Sequence, residues 1–414
     1  MRLRLSVEQP ALAEARYPHL YTPEELQSQA LGPNDYLIAF FLGKKRSITW
    51  VVGPKSVDWF PLPPRTQIEE AVRSFLDYVR NPGASVSPDG AALSQTLARE
   101  ITARVPDGSR LVVVPDRALH YLPFEALSAG GRYLVERYPI SYAPSASSYA
   151  FLRRLPPPPR HQQDFALAIG NPPHARKTAA SERVLAVHEL ESLKPLAHAG
   201  EELTAISRLF RCRILEQEQA AEKELRGANL ERAVIVHFAT HGLLDERRPE
   251  RSGLVLAARP PHDDGILQMR EVYELPLRAR LVTLSACRTA LGKAFNGEGI
   301  VGLSRAFFYA GANSVMASLW SVNDASTAKW MATFYGQLRD GHNIDEAARA
   351  AKLSFMADSR LRHPYYWAPF IVTGNAGVAV HVPRSNRLPA AVPWVLATLL
   401  LPAAYIALRR IRNR

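Results

Sequence analysis

Cysteine is nearly absent: Cys212 and Cys287 are the only two among 414 residues. Two thiols cannot staple a scaffold, so the fold has to rest on an apolar core, and the scarcity suits a reducing compartment. The N-terminus, "MRLRLSVEQPALAEARY", lacks the apolar stretch of about 7 to 15 residues that a secretory signal needs. The body of the chain is therefore expected in the cytoplasm. No self-similarity at a period of about 20 to 50 residues is visible, which argues against a solenoid array. "LGKAFNGEG" contains Gly-Lys without the G-x-x-x-x-G-K-[ST] spacing, so a phosphate-cradling loop is not supported. No block of lysine and arginine interleaves with aromatics, and no nucleic-acid partner is expected.

What the chain does contain is an ordinary globular mixture, 47% hydrophobic and 22% charged residues, far from the signature of disorder. Its length allows two or more domains of roughly 100 to 200 residues. The balance of 51 Lys and Arg against 39 Asp and Glu leaves a net charge of +12. Such an excess favours anionic partners without choosing among lipid head groups, nucleic acid and acidic proteins.

One long uncharged run is present. "LPAAVPWVLATLLLPAAYIAL", residues 388–408, has about the 20 residues that a membrane-spanning helix needs. Arg384 and Arg387 precede it, "RRIRNR" follows, and Trp394 and Tyr405 are candidate interface anchors. Pro389, Pro393 and Pro402 weaken the helix. The run is expected to be a C-terminal hydrophobic helix that anchors the chain to a membrane, with the preceding body cytoplasmic.

Along the chain, helical and strand patterns alternate. "YLIAFFLGKKRSITWVV" reads as a β-hairpin, "RTQIEEAVRSFLDYVRNPG" as a helix and "SRLVVVPD" as a buried strand. "RRLPPPPRHQQD" is an extended polyproline-type connector, taken as the boundary between an N-terminal lobe, residues 1–152, and a second lobe, residues 165–376. In the second lobe "FALAIGNPP", "RAVIVHFATHG", "ARLVTLSACRT" and "NSVMASLWSV" read as strands. "GEELTAISRLF", "GIVGLSRAFFYAGA" and "ASTAKWMATFYGQLRDG" read as helices, and "SGLVLAARPPHDDGILQ" as a hairpin. Short, fully apolar strands separated by helices predict an α/β fold with a mostly parallel sheet flanked by helices.

In such a sheet reactive groups collect at the carboxyl ends of the strands. His241 is the last side chain before Gly242 on one strand, and Cys287 stands at the end of another. If the two strands are neighbours, a spacing of about 4.8 Å brings their ends into one crevice. A histidine beside a thiol lowers its pKa or takes its proton, and the thiolate is the nucleophile. The N–H groups of Gly242 and Cys287 could hold the oxyanion of a tetrahedral intermediate. A free cysteine by itself is more often an inert core residue; the joint placement is what carries the reading. A metal site is not expected, because His237 and His241 on a strand stand about 13 Å apart, and no cofactor is implied.

The blocks "HFATHG" and "LSAC" together, with "VPDRALHYLPFEAL" upstream and "HPYYWAPFIVTGN" downstream, resemble the CHAT domain, a bacterial caspase-fold group similar to separases. The resemblance runs over roughly residues 30–375. It implies a caspase-like catalytic lobe preceded by a pseudo-protease-like lobe, and a cysteine endopeptidase with His241 as general base and Cys287 as nucleophile. Asp324, in "LWSVND", aligns with an acidic position of the separase pattern that suits a basic residue before the scissile bond. It also reads as a cap for a helix beginning near Ala325. Trp320 could wall the substrate cleft or simply pack in the core. Helical repeats commonly precede such domains and are not visible here, so a separate regulatory protein or the membrane segment is expected to supply control, and the substrate to be a protein. Two other readings stand beside the peptidase: an idle caspase-fold scaffold or adaptor, and a hydrolase of small esters or amides.

Overall fold

The apolar runs become strands because helices cover both of their faces. In the computed structural model residues 19–83, 92–156, 159–173, 193, 196–243, 251–259, 263–285 and 298–385 are described, the side chains of 298–301 excepted. The expected membrane helix over 388–408 lies outside the described residues, and so does Cys287. Among the described residues no helix is long and apolar enough to cross a membrane.

The strands in the first part of the chain are β1 (Asp35–Phe41), β2 (Ser47–Val52), β3 (Val57–Leu62), β4 (Arg110–Val114), β5 (Ser128–Ala129), β6 (Arg132–Tyr133) and β7 (Ile140–Tyr142). Then follow β8 (Phe165–Gly170), β9 (Cys212–Glu216), β10 (Ala233–Ala239), β11 (Gly242–Leu243), β12 (Gly253–Val255), β13 (Ile266–Gln268), β14 (Leu281–Leu284), β15 (Ser314–Ser318) and β16 (Phe370–Gly374). The helices that position the site are α1 (Pro23–Gln29), α2 (Arg65–Val79), α3 (Ala146–Arg154), α4 (Ala199–Leu209), α5 (Glu298–Ala310), α6 (Asp324–Arg339) and α7 (Ile344–Ala357).

Eleven strands form one sheet in the order β3-β2-β1-β4-β7-β16-β15-β14-β10-β8-β9. The N-terminal strands fill one half and the C-terminal strands the other, and the halves meet where Tyr142 of β7 stands opposite Thr373 of β16. The mixed α/β class with a mostly parallel sheet holds, since β1, β4 and β7 pair in parallel, as do β9, β8, β10, β14 and β15. The hairpins read from the sequence are β1–β2 and β12–β13. β16 departs from the parallel pattern by pairing antiparallel with β15. The helices α6 and α7 and the short helix Pro364–Trp367 separate β15 from β16 and return the chain to the edge it left, so β16 runs back.

Alternation along the strands assigns the layers. On one face α2, α4, α6 and α7 pack through Val72, Ile206, Trp330 and Ala351 onto Ile38, Leu111, Ile235 and Met316. On the other face α5 covers the C-terminal half through Phe307 and Ala306 onto Phe238, Val282 and Val315. There α1 and α3 cover the N-terminal half through Leu26 and Tyr149 onto Leu37 and Val112. Each such buried Leu, Ile, Val or Phe contributes about 1.5–3 kcal/mol relative to an exposed one.

Ionic contacts stitch the halves together. Arg110 of β4 ion-pairs with Asp345 of α7 and lies 3.3 Å from Asp35. Burial outweighs that pairing for Asp345 and raises its pKa to about 6. Lys352 of α7 is buried and ion-pairs with Glu125, which also accepts from the Tyr142 hydroxyl.

Candidate functional site

In chain order β8 is followed by β9 on one side of it, and then by β10 on the other. This reversal is a topological switch point, and open α/β sheets hold their ligands in the crevice beyond the carboxyl ends of the strands there. The strand ends approach closely. A Cβ on Gly170, the last residue of β8, would lie 2.2 Å from the Ala239 carbonyl oxygen, so only glycine fits. Asn171 follows at φ 49°, its N–H donating to the same carbonyl at 3.0 Å and its amide to Glu216 at 3.0 Å. That left-handed conformation is one that asparagine tolerates better than most residues.

β10 and β14 are direct neighbours, parallel, with Phe238 opposite Leu284. The Ser285 N–H donates to the Phe238 carbonyl at 2.9 Å, which carries the pairing one step past the strand. Beyond Ala239 the chain leaves the sheet. The Thr240 hydroxyl donates to the Val255 carbonyl, and the His241 carbonyl accepts from the Val255 N–H at 2.8 Å. His241 is half-buried there, and Gly242 opens β11 opposite Leu254 of β12. The small β11-β12-β13 sheet thus starts at the rim formed by the ends of β8, β10 and β14. Ser285 is buried, and its hydroxyl has no hydrogen-bond partner among the described residues.

A wholly buried polar cluster lies one turn of the pleat below. His237 of β10 stands opposite Thr283 of β14, and the Tyr335 hydroxyl of α6 connects them, 2.9 Å from His237 Nδ1 and donating to Thr283 Oγ1 at 2.8 Å. The other ring nitrogen lies 3.1 Å from Glu202 of α4, off the line of a hydrogen bond, so the contact is one of charge and dipole. Burial pushes the Tyr335 hydroxyl pKa far up, keeping it a neutral donor. The cluster ties the two strands to the helices that cover them.

Asp324 and Trp320 occupy different surroundings. The helix cap is Asn323, whose side chain accepts from the Ser326 N–H at 3.3 Å, and α6 begins at Asp324 itself. The expectation that Asp324 caps a helix from Ala325 is corrected by that one-residue shift. The Asp324 carboxylate instead accepts from the His198 N–H at 2.7 Å, at the start of α4. Trp320 is 3% exposed, with its indole N–H donating to the Tyr365 carbonyl at 3.1 Å and the Arg80 guanidinium 5.6 Å from its ring centre. Cys212 opens β9 on the outer edge of the sheet. No group of three or more metal-binding side chains occurs among the described residues.

Residues 87–375 match the CHAT domain. The chain belongs to the CHAT domain family. Tetratricopeptide repeat protein 28 of Homo sapiens is 27% identical to this CHAT chain over 305 residues, covering 64% of it and 12% of that protein. Its Mus musculus counterpart is 27% identical over 310 residues with the same coverage. The chain therefore matches only 12% of the length of these curated relatives, and both are mammalian, so they give no support to a bacterial source. Among solved structures it is similar to a chain of the Saccharomyces cerevisiae separase-securin complex, with TM-score 0.49, 13% identity, and 89% of this chain and 31% of that one covered. It is also similar to the Arg specific cysteine proteinase gingipain R, with TM-score 0.44, 11% identity, and 88% and 81% covered. For the complex of Porphyromonas gingivalis RgpB pro- and mature domains the values are 0.42, 10%, and 77% and 78%.

Reasoning from sequence passed over the His237–Tyr335–Thr283 cluster and the close approach at Gly170. Tyr335 comes from a helix 98 residues further on, and nothing local marks it. The Gly-Asn-Pro-Pro turn after an apolar run was the available signal for Gly170.

Proposed function

We propose that this CHAT chain is a cysteine endopeptidase in which His241 and Cys287 act together at the carboxyl ends of β10 and β14. The observation that carries the reading is the register: Phe238 pairs with Leu284, and His241 and Cys287 each come three residues later. Two peptide units separate Cys287 from Ser285, so its Cα is held within about 7 Å of the Ser285 Cα. In the proposed step His241 takes the thiol proton, the thiolate attacks a peptide carbonyl, and the protonated imidazole then gives that proton to the leaving amine. The His241 carbonyl already holds the ladder bond from Val255, which makes Gly242 and Leu254 a pair without mutual hydrogen bonds. The Gly242 N–H is thus outside that ladder and suits an oxyanion hole shared with the Cys287 N–H.

Asp324 belongs to the same proposal as a substrate-binding residue for a basic side chain before the scissile bond, whereas Trp320, expected to wall the cleft or to pack in the core, is a core residue. A protein substrate, a regulatory partner and a membrane tether through 388–408 complete it. The relatives' tetratricopeptide repeats, a kind of helical repeat, support the idea of control by another segment or protein.

A peptide-library cleavage assay tests the reading. Wild type is expected to cleave, and Cys287→Ala to lose at least a thousandfold in rate. Asp324→Ala is expected to slow cleavage after Arg or Lys more than after Leu. Cleavage that survives Cys287→Ala removes the nucleophile from the account, and no cleavage by wild type favours the idle scaffold.

A further inference from the structure

At the amino ends of β8, β10 and β14, opposite the candidate site, lies a cavity of about 530 Å³, within the range of small-molecule sites. Its wall is dominated by cations: Arg160, Arg232, Arg278 and Arg280 against only Asp164 and Glu231, with His161 and His381 beside them. The two carboxylates are already engaged. Arg232 stands 3.9 Å from Asp164, and Arg278 stands 3.9 Å from Glu231. Arg160 and Arg280 have no ion-pair partner among the described residues.

The backbone fixes this crowding. Arg280 immediately precedes β14 and its N–H donates to the Val234 carbonyl at 2.8 Å, while Arg232 immediately precedes β10. The register of these two strands therefore places both side chains at one rim. The segment after β16, Gly377 to His381, closes the other side, pinned by a bridge between Ala379 and Asn343. Burial and then the neighbouring Arg160 lower the Arg280 pKa, and His381 is lowered by burial and by the same two arginines. Four arginines against two carboxylates in a concave, half-buried space leave like charge unbalanced, a site that is costly when empty and relieved by an anion.

We propose that this cavity binds a small polyanion bearing two or more phosphate groups, with Arg160 and Arg280 as its principal contacts. Guanidinium groups meet phosphate oxygens through paired N–H donors, which point-charge lysines do not offer. The concave shape and the two unpaired arginines favour a compact ligand over an extended nucleic-acid strand. The site is separate from His241 and Cys287, and the proposal does not depend on peptidase activity.

Calorimetric titration of the full chain with inorganic tripolyphosphate tests it, at fixed salt. Wild type is expected to bind at one saturable site, weakening as salt rises. The double variant Arg160→Gln/Arg280→Gln is expected to lose at least tenfold in affinity, and Arg280→Lys an intermediate amount. Arg339→Gln, on the exposed side of α6, should bind as wild type does. Without ligand the double variant should melt at the same temperature as wild type or higher, since it removes like charge, which separates lost binding from lost folding. Three results overturn the proposal: no saturable binding by wild type, equal binding by the double variant, or an equal loss with Arg339→Gln. Tighter binding of a single-stranded DNA oligomer with the same arginine dependence also overturns it, by assigning the surface to an extended polyanion.

Discussion

The parallel strands of the two halves of the sheet end differently. In the N-terminal half, β4 runs out into Pro115 and β7 into Ala143 and Pro144, around a cavity of only about 30 Å³. The histidine there, His120, is neutral at pH 7, because burial and then Arg305 push its pKa down to about 4. In the C-terminal half, β10 runs out into Thr240 and His241, and β14 into Ser285, two residues before Cys287. Similar scaffolding with different residues at the strand ends thus leaves one half packed shut and the other with a histidine two residues past β10 and a cysteine two residues past Ser285. The halves also treat a buried carboxylate differently. Glu125 is met by Lys352, whereas Glu222, just past β9, has acidic neighbours and holds a proton: burial first, then Glu271, Asp264 and Asp263, raise its pKa to about 8.

The largest expected effect comes from breaking the bond between the halves. Lys352→Met leaves Glu125 buried without its cation and should destabilise the fold by about 3–5 kcal/mol, read by denaturant unfolding. Adding Glu125→Gln should recover much of that loss. If the single variant unfolds at the wild-type midpoint, the lysine does not hold the halves together.

A smaller effect is expected at the switch point. Gly170→Ala forces the ends of β8 and β10 apart and should cost about 1–3 kcal/mol. Gly336→Ala, inside α6 with nothing within 4 Å of the added carbon, should instead stabilise by about 0.5–1 kcal/mol. Similar shifts for the two glycines would remove the argument from close approach.

A third effect, spread over several pH units rather than read at one condition, is one of pH. The Glu222 carboxyl keeps its proton in the fold up to about pH 8 but loses it near pH 4.5 when unfolded. Its contribution is therefore fully present below about pH 4.5, declines above it and is lost through pH 8. The melting temperature of wild type should fall more steeply between pH 5 and 8 than that of Glu222→Gln. Parallel curves would mean that Glu222 is ionised in the folded protein.

Much of this architecture was legible in the chain. The continuous apolar runs at β8, β10, β14 and β15 could only be strands covered on both faces, and "GKKRS" and "HDDG" marked two hairpins. The direction of β16 was not legible, because no local pattern shows that the helices after β15 bring the chain back to the end of the sheet that β15 reached. Nor was the edge strand β3, whose exposed Val57 and Trp59 give no buried-strand pattern. At the site, glycine after a β-branched run marked the end of an apolar strand, but not that β10 stops at Ala239, two residues before His241, or that Gly242 opens β11. The role of Asp324 at the start of α4 did not, since its partner His198 is 126 residues away. The arginines of the amino-end cavity were visible only as part of a net charge of +12, because charge gathers by strand register rather than by sequence proximity.

The two cysteines allow the most direct test. Treating the full chain with a peptidyl electrophile and mapping the adduct by mass spectrometry should place it on Cys287 and spare Cys212, and His241→Ala should abolish the preference. Equal modification of both thiols, or labelling of Cys287 that persists unchanged in His241→Ala, would contradict an imidazole and a sulfur acting together at the ends of β10 and β14.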